Sequence, residues 1–114
     1  MNQLKTVVTA AAMLFALHQH AFAGGSLSPS ELKNLAPGRY QVVLMGISSM
    51  TVTLHSNGTV LGTAKGSSDT GHWNLSGAKF CIAWNNWLGG RARCSALVDE
   101  VGYYQGSGFT VRRI

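Results

Sequence analysis

The residues best suited to chemistry are two histidines, an aspartate and two serines in the middle of the chain. With Asp69 and Ser67 or Ser68, the side chains of His55 and His72 could in principle form a base and a nucleophile. Their spacing fixes no third group to orient the base, and both histidines fall on the polar side of a predicted strand. We therefore interpret both as surface histidines.

Other chemical signatures are missing from the sequence. It contains no G-x-S-x-G or G-x-x-x-x-G-K motif, and four acidic residues are few for a mechanism that needs paired carboxylates. A copper or zinc site formed by the two histidines with Met45 or Met50 would need further ligands that the spacing does not supply. The sequence therefore predicts a protein that is not an enzyme, with no metal site and no cofactor.

A second set of residues is suited to binding. Tryptophan and tyrosine rings can stack on sugar rings while neighbouring amides bond sugar hydroxyls, and clustered arginines attract anionic polymers. Arg112 and Arg113 form another basic cluster at the C-terminus. Trp87 falls in a predicted turn, where it is either exposed to a ligand or caps the open end of a barrel. The predicted binding residues are Asn85, Asn86, Trp87, Arg91, Arg93, Tyr103 and Tyr104.

The N-terminus has the pattern of a cleaved signal peptide. A basic segment over residues 1–5 and an apolar segment over residues 7–17 precede the Ala21-Phe22-Ala23 cleavage motif. No second apolar run of spanning length follows, so we expect no transmembrane segment after cleavage of residues 1–23. Removal of Lys5 lowers the net charge from +5 to +4. These features predict a periplasmic or secreted protein.

The only two cysteines, Cys81 and Cys94, are expected to form a disulfide in an exported chain. Their spacing is unlike the C-x-x-C pattern of redox pairs. Cys81 has the opposite strand parity from the neighbouring aromatic residues, so the bond should join strands 78–86 and 92–98 on the face away from them. The two Cα atoms should then lie roughly 4.4–6.8 Å apart.

The predicted fold is organised around residues 71–87, which contain all three tryptophans. Trp73 and Leu75 alternate along one strand, and a turn at Ser76-Gly77 leads to a second strand whose Phe80, Ile82 and Trp84 share a face. This pattern predicts a core hairpin.

Before the sheet, residues 24–37 form an N-terminal segment with one short helix. Ser28 and Glu31 make a capping box with Pro29 at the first helical position, and the helix should end at Ala36-Pro37-Gly38. About two helical turns cannot hold alone, so this helix must pack on the sheet or plug one end of a barrel.

Residues 38–114 are predicted to form one mainly β domain. Asn57-Gly58 predicts a hairpin with a type I′ turn, residues 65–70 a polar loop, residues 92–98 a strand and residues 99–102 a turn. Seven or eight short strands without intervening helices predict a small antiparallel meander, closed or nearly closed into a barrel.

Several short motifs carry a family resemblance: Pro37-Gly38-x-Tyr40, Asn57-Gly58-Thr59, Gly71-x-Trp73, and Phe80-Cys81-Ile82-x-Trp84 followed by Cys94. In this order they resemble the small single-disulfide periplasmic β-proteins of proteobacteria, most of which are domains of unknown function. The Gly-x-Trp motif is also similar to that of lipocalins and of small barrel inhibitors of bacterial metalloproteases.

The functional prediction is an exported, non-enzymatic binding protein of the cell envelope, whose partner is an envelope glycan or anionic polymer and not a nucleic acid. The alternative is a barrel inhibitor of a secreted or periplasmic lysozyme or protease, in which the turn from Trp87 to Arg91 enters the cleft. An enzyme with no recognisable motif is the third hypothesis.

Overall fold

The structure is a computed structural model. It describes residues 25–45 and 48–114. The predicted signal peptide, residues 1–23, lies outside the described residues. Among the residues that are described, no helix has the length and apolar character needed to cross a membrane.

One short helix, α1 (Pro29–Lys33), precedes the sheet. The predicted capping box is confirmed: the Glu31 amide donates to Ser28 Oγ at 3.2 Å, and the Ser28 amide donates to Glu31 Oε1 at 2.9 Å. Leu32 and Leu35, on the inner side of this segment, are buried. The helix therefore contributes its apolar face to the core, since its few residues could not hold a helix alone.

All strands belong to one antiparallel sheet, and there are nine rather than the seven or eight predicted. Along the sheet their order is β6-β5-β4-β3-β2-β1-β9-β8-β7. A single-turn 3-10 helix, Trp87–Gly90, follows the fifth strand. The strands are β1 (Gly38–Leu44), β2 (Ser48–Leu54), β3 (Thr59–Ala64), β4 (Ser67–Ser76), β5 (Lys79–Trp84), β6 (Ala92–Ser95), β7 (Val98–Glu100), β8 (Tyr103–Gly106) and β9 (Phe109–Arg113).

The extra strand arises because the predicted strand over residues 92–98 is broken. Ala96 and Leu97 separate β6, at one edge of the sheet, from β7, at the other edge. Leu97 is buried, and β7 continues into residues that were predicted to form a turn. Burial of Leu97 bends the chain, so each half of the segment pairs with a different neighbour: β6 with β5, and β7 with β8.

The sheet curls into a half-barrel, which is more open than the closed or nearly closed barrel predicted from the sequence. Within residues 48–114 no ladder joins β6 to β7, although the Ser107 amide donates to Ser95 Oγ at 3.0 Å close to the seam. The free side of β7 is covered by the N-terminal segment, whose Leu27 amide donates to the Leu97 carbonyl at 2.8 Å. This pairing reduces the length of exposed strand edge.

The antiparallel register places the connections at two opposite ends, which we name the loop end and the helix end. The loop end carries the connections β1–β2, β3–β4, β5–β6 and β8–β9. The helix end carries α1, the connections β2–β3, β4–β5 and β7–β8, and the C-terminus.

The predicted core hairpin is confirmed, but its turn is Gly77-Ala78 and not Ser76-Gly77, because Ser76 still pairs with Lys79. β4 pairs with β5 so that Trp73 faces Ile82 and Leu75 faces Phe80. Trp73 and Phe80 stack with ring centroids 5.3 Å apart, and the Trp73 indole N–H donates to the His55 carbonyl at 2.7 Å. These aromatic side chains pack against the buried core of the half-barrel.

Two other turns differ in type or length from the sequence prediction. Asn57-Gly58 does join two strands, but only Gly58 has positive φ, because Asn57 Oδ1 accepts from the Thr59 amide and hydroxyl. The turn with positive φ at both central positions is Lys65-Gly66. The predicted polar loop over residues 65–70 is therefore a two-residue turn, and β4 already begins at Ser67.

The Cys81–Cys94 disulfide is present and joins β5 to β6, as predicted. The two cysteines are direct cross-strand partners, and their Cα atoms are 4.0 Å apart, slightly closer than expected. By strand parity the bond lies on the face opposite to Phe80, Ile82 and Trp84. The disulfide thus staples the two strands that carry the connection at the loop end.

Candidate functional site

The connection from β5 to β6 starts from two tryptophans that pack on a glycine. Trp84 is buried, and its ring centroid lies 5.0 Å from that of the partly buried Trp87, with an interplanar angle of 55°. A Cβ atom added at Gly62 would lie 2.6 Å from Trp84 Cη2 and 2.6 Å from Trp87 Cζ3. Trp87 is therefore a cap on the core at the loop end, because only a residue without a side chain leaves room for both indoles.

A buried carboxylate then fixes the backbone of this connection. Asp69 on β4 is only 6% exposed. Its Oδ2 accepts from the amides of Asn86 and Trp87, each at 2.8 Å. Its Oδ1 accepts from the Thr70 amide at 2.9 Å and from Asn86 Nδ2 at 3.1 Å. Four donors thus converge on one side chain and hold the first residues of the 3-10 turn against β4.

The same hydrogen bonds control the ionisation of Asp69. The Trp87 amide, assisted by the donors from Asn86 and Thr70, lowers the pKa of the Asp69 carboxyl below its ordinary value, although burial opposes this shift. Hydrogen bonds to a charged form favour that form. Asp69 is therefore a carboxylate at neutral pH, and the connection depends on its charge.

Asn85 supplies a third attachment to β4. Its amide donates to the Thr70 carbonyl at 2.9 Å, and its Nδ2 donates to Thr70 Oγ1 at 2.9 Å. Asn85 and Asn86 therefore donate hydrogen bonds that hold the connection in place. The sequence prediction had assigned their side chains to ligand binding.

The apex beyond these attachments is exposed. Leu88 is 53% exposed and has a φ of 58°, and the following Gly89 and Gly90 also have positive φ. Arg91 ends the connection and is exposed. We name residues 85–91 the binding loop. Bulky residues rarely adopt positive φ, and such backbone strain persists where the surroundings over-determine the conformation.

The structure places the other predicted binding residues apart from this loop or beside it. Arg93 is exposed on β6, one residue inside the loop end. Tyr103 and Tyr104 lie on β8, on the other side of the sheet order, and by strand alternation they face opposite ways. Tyr104 packs against the core. Arg93 therefore follows the binding loop closely in the chain, whereas the tyrosines lie on a strand at the other side of the sheet order.

The two arginines of the C-terminal basic cluster have different environments. Arg113 lies over the Tyr40 ring, with the guanidinium carbon 4.9 Å from the ring centroid, and its Nη2 donates to Tyr40 Oη at 2.7 Å. Tyr40 Oη in turn donates to the Leu35 carbonyl at 2.6 Å. Arg112, its neighbour on β9, pairs with Gln41 and is exposed. These arginines lie at the helix end, so the four clustered arginines do not share a face.

The two histidines are both exposed and lie on either side of Thr59: the His55 amide donates to the Thr59 carbonyl at 3.0 Å, and His72 pairs with Thr59 across the β3–β4 ladder. A shallow groove beside His55 is lined by Pro37, Ser56, Asn57 and Thr59. Across residues 25–45 and 48–114, no group of three or more His, Cys, Asp or Glu side chains could hold a metal ion. Asp69, which could in principle have joined the histidines, instead accepts hydrogen bonds from the amides of Asn86 and Trp87.

Sequence reasoning missed Asp69 and Gly62 as the residues that position the loop. The signal was strand parity: Asp69 lies two residues before Gly71 and four before Trp73, on the same face of the sheet. A carboxylate on the inward-facing side of a strand indicates that hydrogen-bond donors surround it, since buried charges are rarely left unpaired.

Comparisons with protein-family models, with curated proteins and with solved structures find no match to this chain. The function is therefore inferred from the geometry of the loop end.

Proposed function

We propose that this protein is an exported, non-enzymatic binding protein of the cell envelope that contacts its ligand through the binding loop. The observation that carries the proposal is the Asp69 carboxylate, which accepts four hydrogen bonds from the loop and its base. Burying a charge is costly unless it is well bonded. The Asp69 charge is well bonded, and its hydrogen bonds fix the binding loop, whose apex is exposed to solvent.

Fixing the loop before binding favours affinity. A flexible loop loses conformational freedom when a partner immobilises it, and a preorganised loop avoids most of that loss. Here three features act on one connection: the Asp69 hydrogen bonds, the packing of Trp87 on Gly62, and the Cys81–Cys94 staple beneath it. The apex residues Leu88 and Arg91 are thereby presented in one conformation.

The proposed ligand is an anionic envelope polymer or glycan. Arg91 and Arg93 are exposed on the same connection and strand edge, and the chain remaining after removal of residues 1–23 carries a net charge of +4. Export is supported by the disulfide, because disulfides persist in oxidising compartments. Binding of this kind should weaken as salt screens the arginines.

The exposed Leu88 favours a second candidate, which is inhibition of a secreted or periplasmic lysozyme or protease. An apolar side chain at the apex of a fixed loop is suited to a pocket in an enzyme cleft. In that case Leu88 carries the contact, and the arginines act mainly on the rate of encounter.

The test is a binding titration of the mature chain against peptidoglycan fragments and anionic envelope polysaccharides, at low and at high ionic strength. We expect saturable binding that weakens with salt and is reduced by Arg91→Glu. Lys79→Glu is the matched control, since Lys79 is an exposed cation at the helix end. A parallel pull-down with lysozymes and proteases tests the inhibitor candidate, with Leu88→Asp as its variant.

Absence of binding to every polymer would overturn the polymer proposal. Capture of an enzyme that is lost with Leu88→Asp and retained with Arg91→Glu would favour the inhibitor instead. Equal loss of binding in the Arg91→Glu and Lys79→Glu variants would show that net charge, and not the binding loop, is responsible.

A further inference from the structure

Backbone strain in the described chain is concentrated at the loop end. The non-glycine residues with positive φ are Met45 at 51°, Lys65 at 43° and Leu88 at 58°. They belong to three different connections, β1–β2, β3–β4 and β5–β6, all of which lie at the loop end. Such outliers cluster at functional sites, and they point to a function shared by these connections.

The side chains at these strained positions project into solvent. Met45 is 78% exposed, Leu88 is 53% exposed, and Lys65 is also exposed. Met45 is held beside the β8–β9 turn, since its amide donates to the Gly108 carbonyl at 2.8 Å. Two apolar side chains and a cation are therefore exposed at the loop end, on residues 45, 65 and 88.

The two ends differ in their exposed carboxylates and not in the presence of cations, since Lys33, Arg39, Lys79, Arg112 and Arg113 are exposed toward the helix end. The loop end exposes Lys65, Arg91 and Arg93, while its one acidic residue, Asp69, is buried within the hydrogen bonds of the binding loop. The other described acidic residues are at the helix end: Glu31 in α1, and Asp99 and Glu100 in β7 before the β7–β8 turn. Over residues 25–45 and 48–114, the loop end thus exposes cations and no carboxylate.

We infer that the loop end docks on an anionic lipid bilayer, with Met45 and Leu88 entering the interface and Lys65 and Arg91 contacting lipid headgroups. This inference rests on the proposed function, because it uses the same binding loop, but it takes anionic lipid as the ligand in place of a polymer or glycan. Exposed apolar side chains among cations are the combination that binds peripheral proteins to anionic lipid.

A bilayer fits this end better than a polysaccharide does. Met45 and Leu88 are exposed on separate connections. A lipid interface accepts separate protrusions and offers them an apolar interior, whereas a polysaccharide offers none. Trp87, the residue before Leu88, is partly buried, and tryptophan is favoured at the boundary between lipid and water.

The experiment is co-sedimentation of the mature protein with two kinds of vesicle, one of phosphatidylcholine alone and one of phosphatidylcholine mixed with phosphatidylglycerol. We expect binding to the mixed vesicles and none to the neutral ones. Lys65→Glu with Arg91→Glu should weaken binding by at least about thirtyfold, since each surface cation contributes a factor of roughly five.

The apolar contribution is tested with matched serine variants. Met45→Ser with Leu88→Ser should weaken vesicle binding by about tenfold or more, since the interface gains from each buried carbon. Val101→Ser is the apolar control, because Val101 is 97% exposed at the helix end. Lys33→Glu with Lys79→Glu is the charge control at the same end. Thermal midpoints of all variants should stay close to that of the wild type, which shows that they fold.

Failure of the wild type to bind mixed vesicles, together with retained binding to a soluble envelope polymer, would overturn the lipid inference and leave the proposed function standing. Failure on both ligands would overturn both. An equal loss in the helix-end controls would also overturn the inference, because it would remove the assignment to the loop end.

Discussion

The helix end and the loop end of the half-barrel are closed by different chemistry. At the helix end, Leu32 is fully buried, and Tyr40 joins the Leu35 carbonyl to the Arg113 guanidinium. At the loop end, Asp69 presents a buried carboxylate to four donors around the binding loop.

Under the proposed function, this difference assigns stability to the helix end and ligand contact to the loop end. The groups at the helix end turn inward, and their contacts complete the core. The carboxylate at the loop end holds a segment whose apex points away from the core, with Leu88 exposed. The predictions below test whether the two ends separate in this way.

The largest difference should come from the same substitution made at each end. Leu32→Ala removes a side chain that is 0% exposed and leaves a cavity, so it should lower the free energy of unfolding by about 2–5 kcal/mol. Leu88→Ala should change it by no more than about 0.5 kcal/mol. Denaturant unfolding of both variants measures the contrast, and a large loss from Leu88→Ala would contradict the division of roles.

Removal of the staple is expected to have the next largest effect. Replacing both Cys81 and Cys94 with serine should cost about 2–4 kcal/mol in the free energy of unfolding, because the reduced unfolded chain gains freedom. The fold should survive, since the aromatic stack of Trp73 and Phe80 is untouched. Thermal and denaturant unfolding measure the effect. A double mutant as stable as the wild type would show that the bond does not support the strands of the loop.

The helix end should lose stability in alkali through Tyr40. Burial raises the pKa of the Tyr40 phenol above its ordinary value, with the Arg113 guanidinium opposing the shift. Because the folded pKa is the higher one, the unfolded chain ionises first, and stability should fall as the pH rises above about 10.

The variant for this prediction is Tyr40→Phe, which leaves the Leu35 carbonyl and Arg113 without their shared partner. It should cost about 1–3 kcal/mol at neutral pH and flatten the alkaline loss. Tyr103→Phe, on β8, is the control for removal of a tyrosine hydroxyl. If the stability of Tyr40→Phe fell above about pH 10 as steeply as that of the wild type, Tyr40 would not be the cause of the alkaline loss.

The loop end should lose its order in acid through Asp69, with the smallest effect on global stability. The pKa of the Asp69 carboxyl is lowered in the folded state by the amide donors, so its contribution is present at neutral pH and declines as the pH falls below about 3.9. Asp69→Asn should lower the thermal midpoint at neutral pH, by less than loss of the disulfide does, and should weaken the acid dependence. An acid limb identical to that of the wild type would contradict the role of this carboxylate.

Local patterns in the sequence predicted much of the fold. Alternation placed Trp73 and Leu75 on one face of a strand and Phe80, Ile82 and Trp84 on one face of the next, although their register is one residue off the predicted turn. The parity of Cys81 placed the disulfide on the opposite face. The capping box around Ser28 was likewise specified within four residues. These features depend on short-range chemistry, which a single sequence carries.

Closure and turn geometry could not be predicted because they depend on distant contacts. The break between β6 and β7 follows from burial of Leu97 against a sheet that is already curled. Lys65-Gly66 forms the two-residue turn because β4 extends back to Ser67 and supplies its ladder with β3. A composition rich in Ser and Gly predicted a loop there, and strand pairing overrode it.

The position of the β5–β6 connection was predicted, but the contacts that hold it were not. The connection after Trp84 was identified correctly as a turn carrying Trp87 and Arg91. The roles of Asn85 and Asn86 were not, because their donors reach Thr70 and Asp69, more than a dozen residues away in the chain. Sequence spacing does not encode such partners.

The most direct test of the account is amide hydrogen exchange at Asn86 and Trp87, measured by NMR on the wild type and on Asp69→Asn. If Asp69 holds the binding loop in one conformation before any ligand arrives, both amides should be protected in the wild type and should exchange rapidly in the variant. The amides of β1 and β9 should keep their protection in both proteins, since they pair at the other side of the sheet. Rapid exchange of Asn86 and Trp87 in the wild type would contradict a preorganised loop.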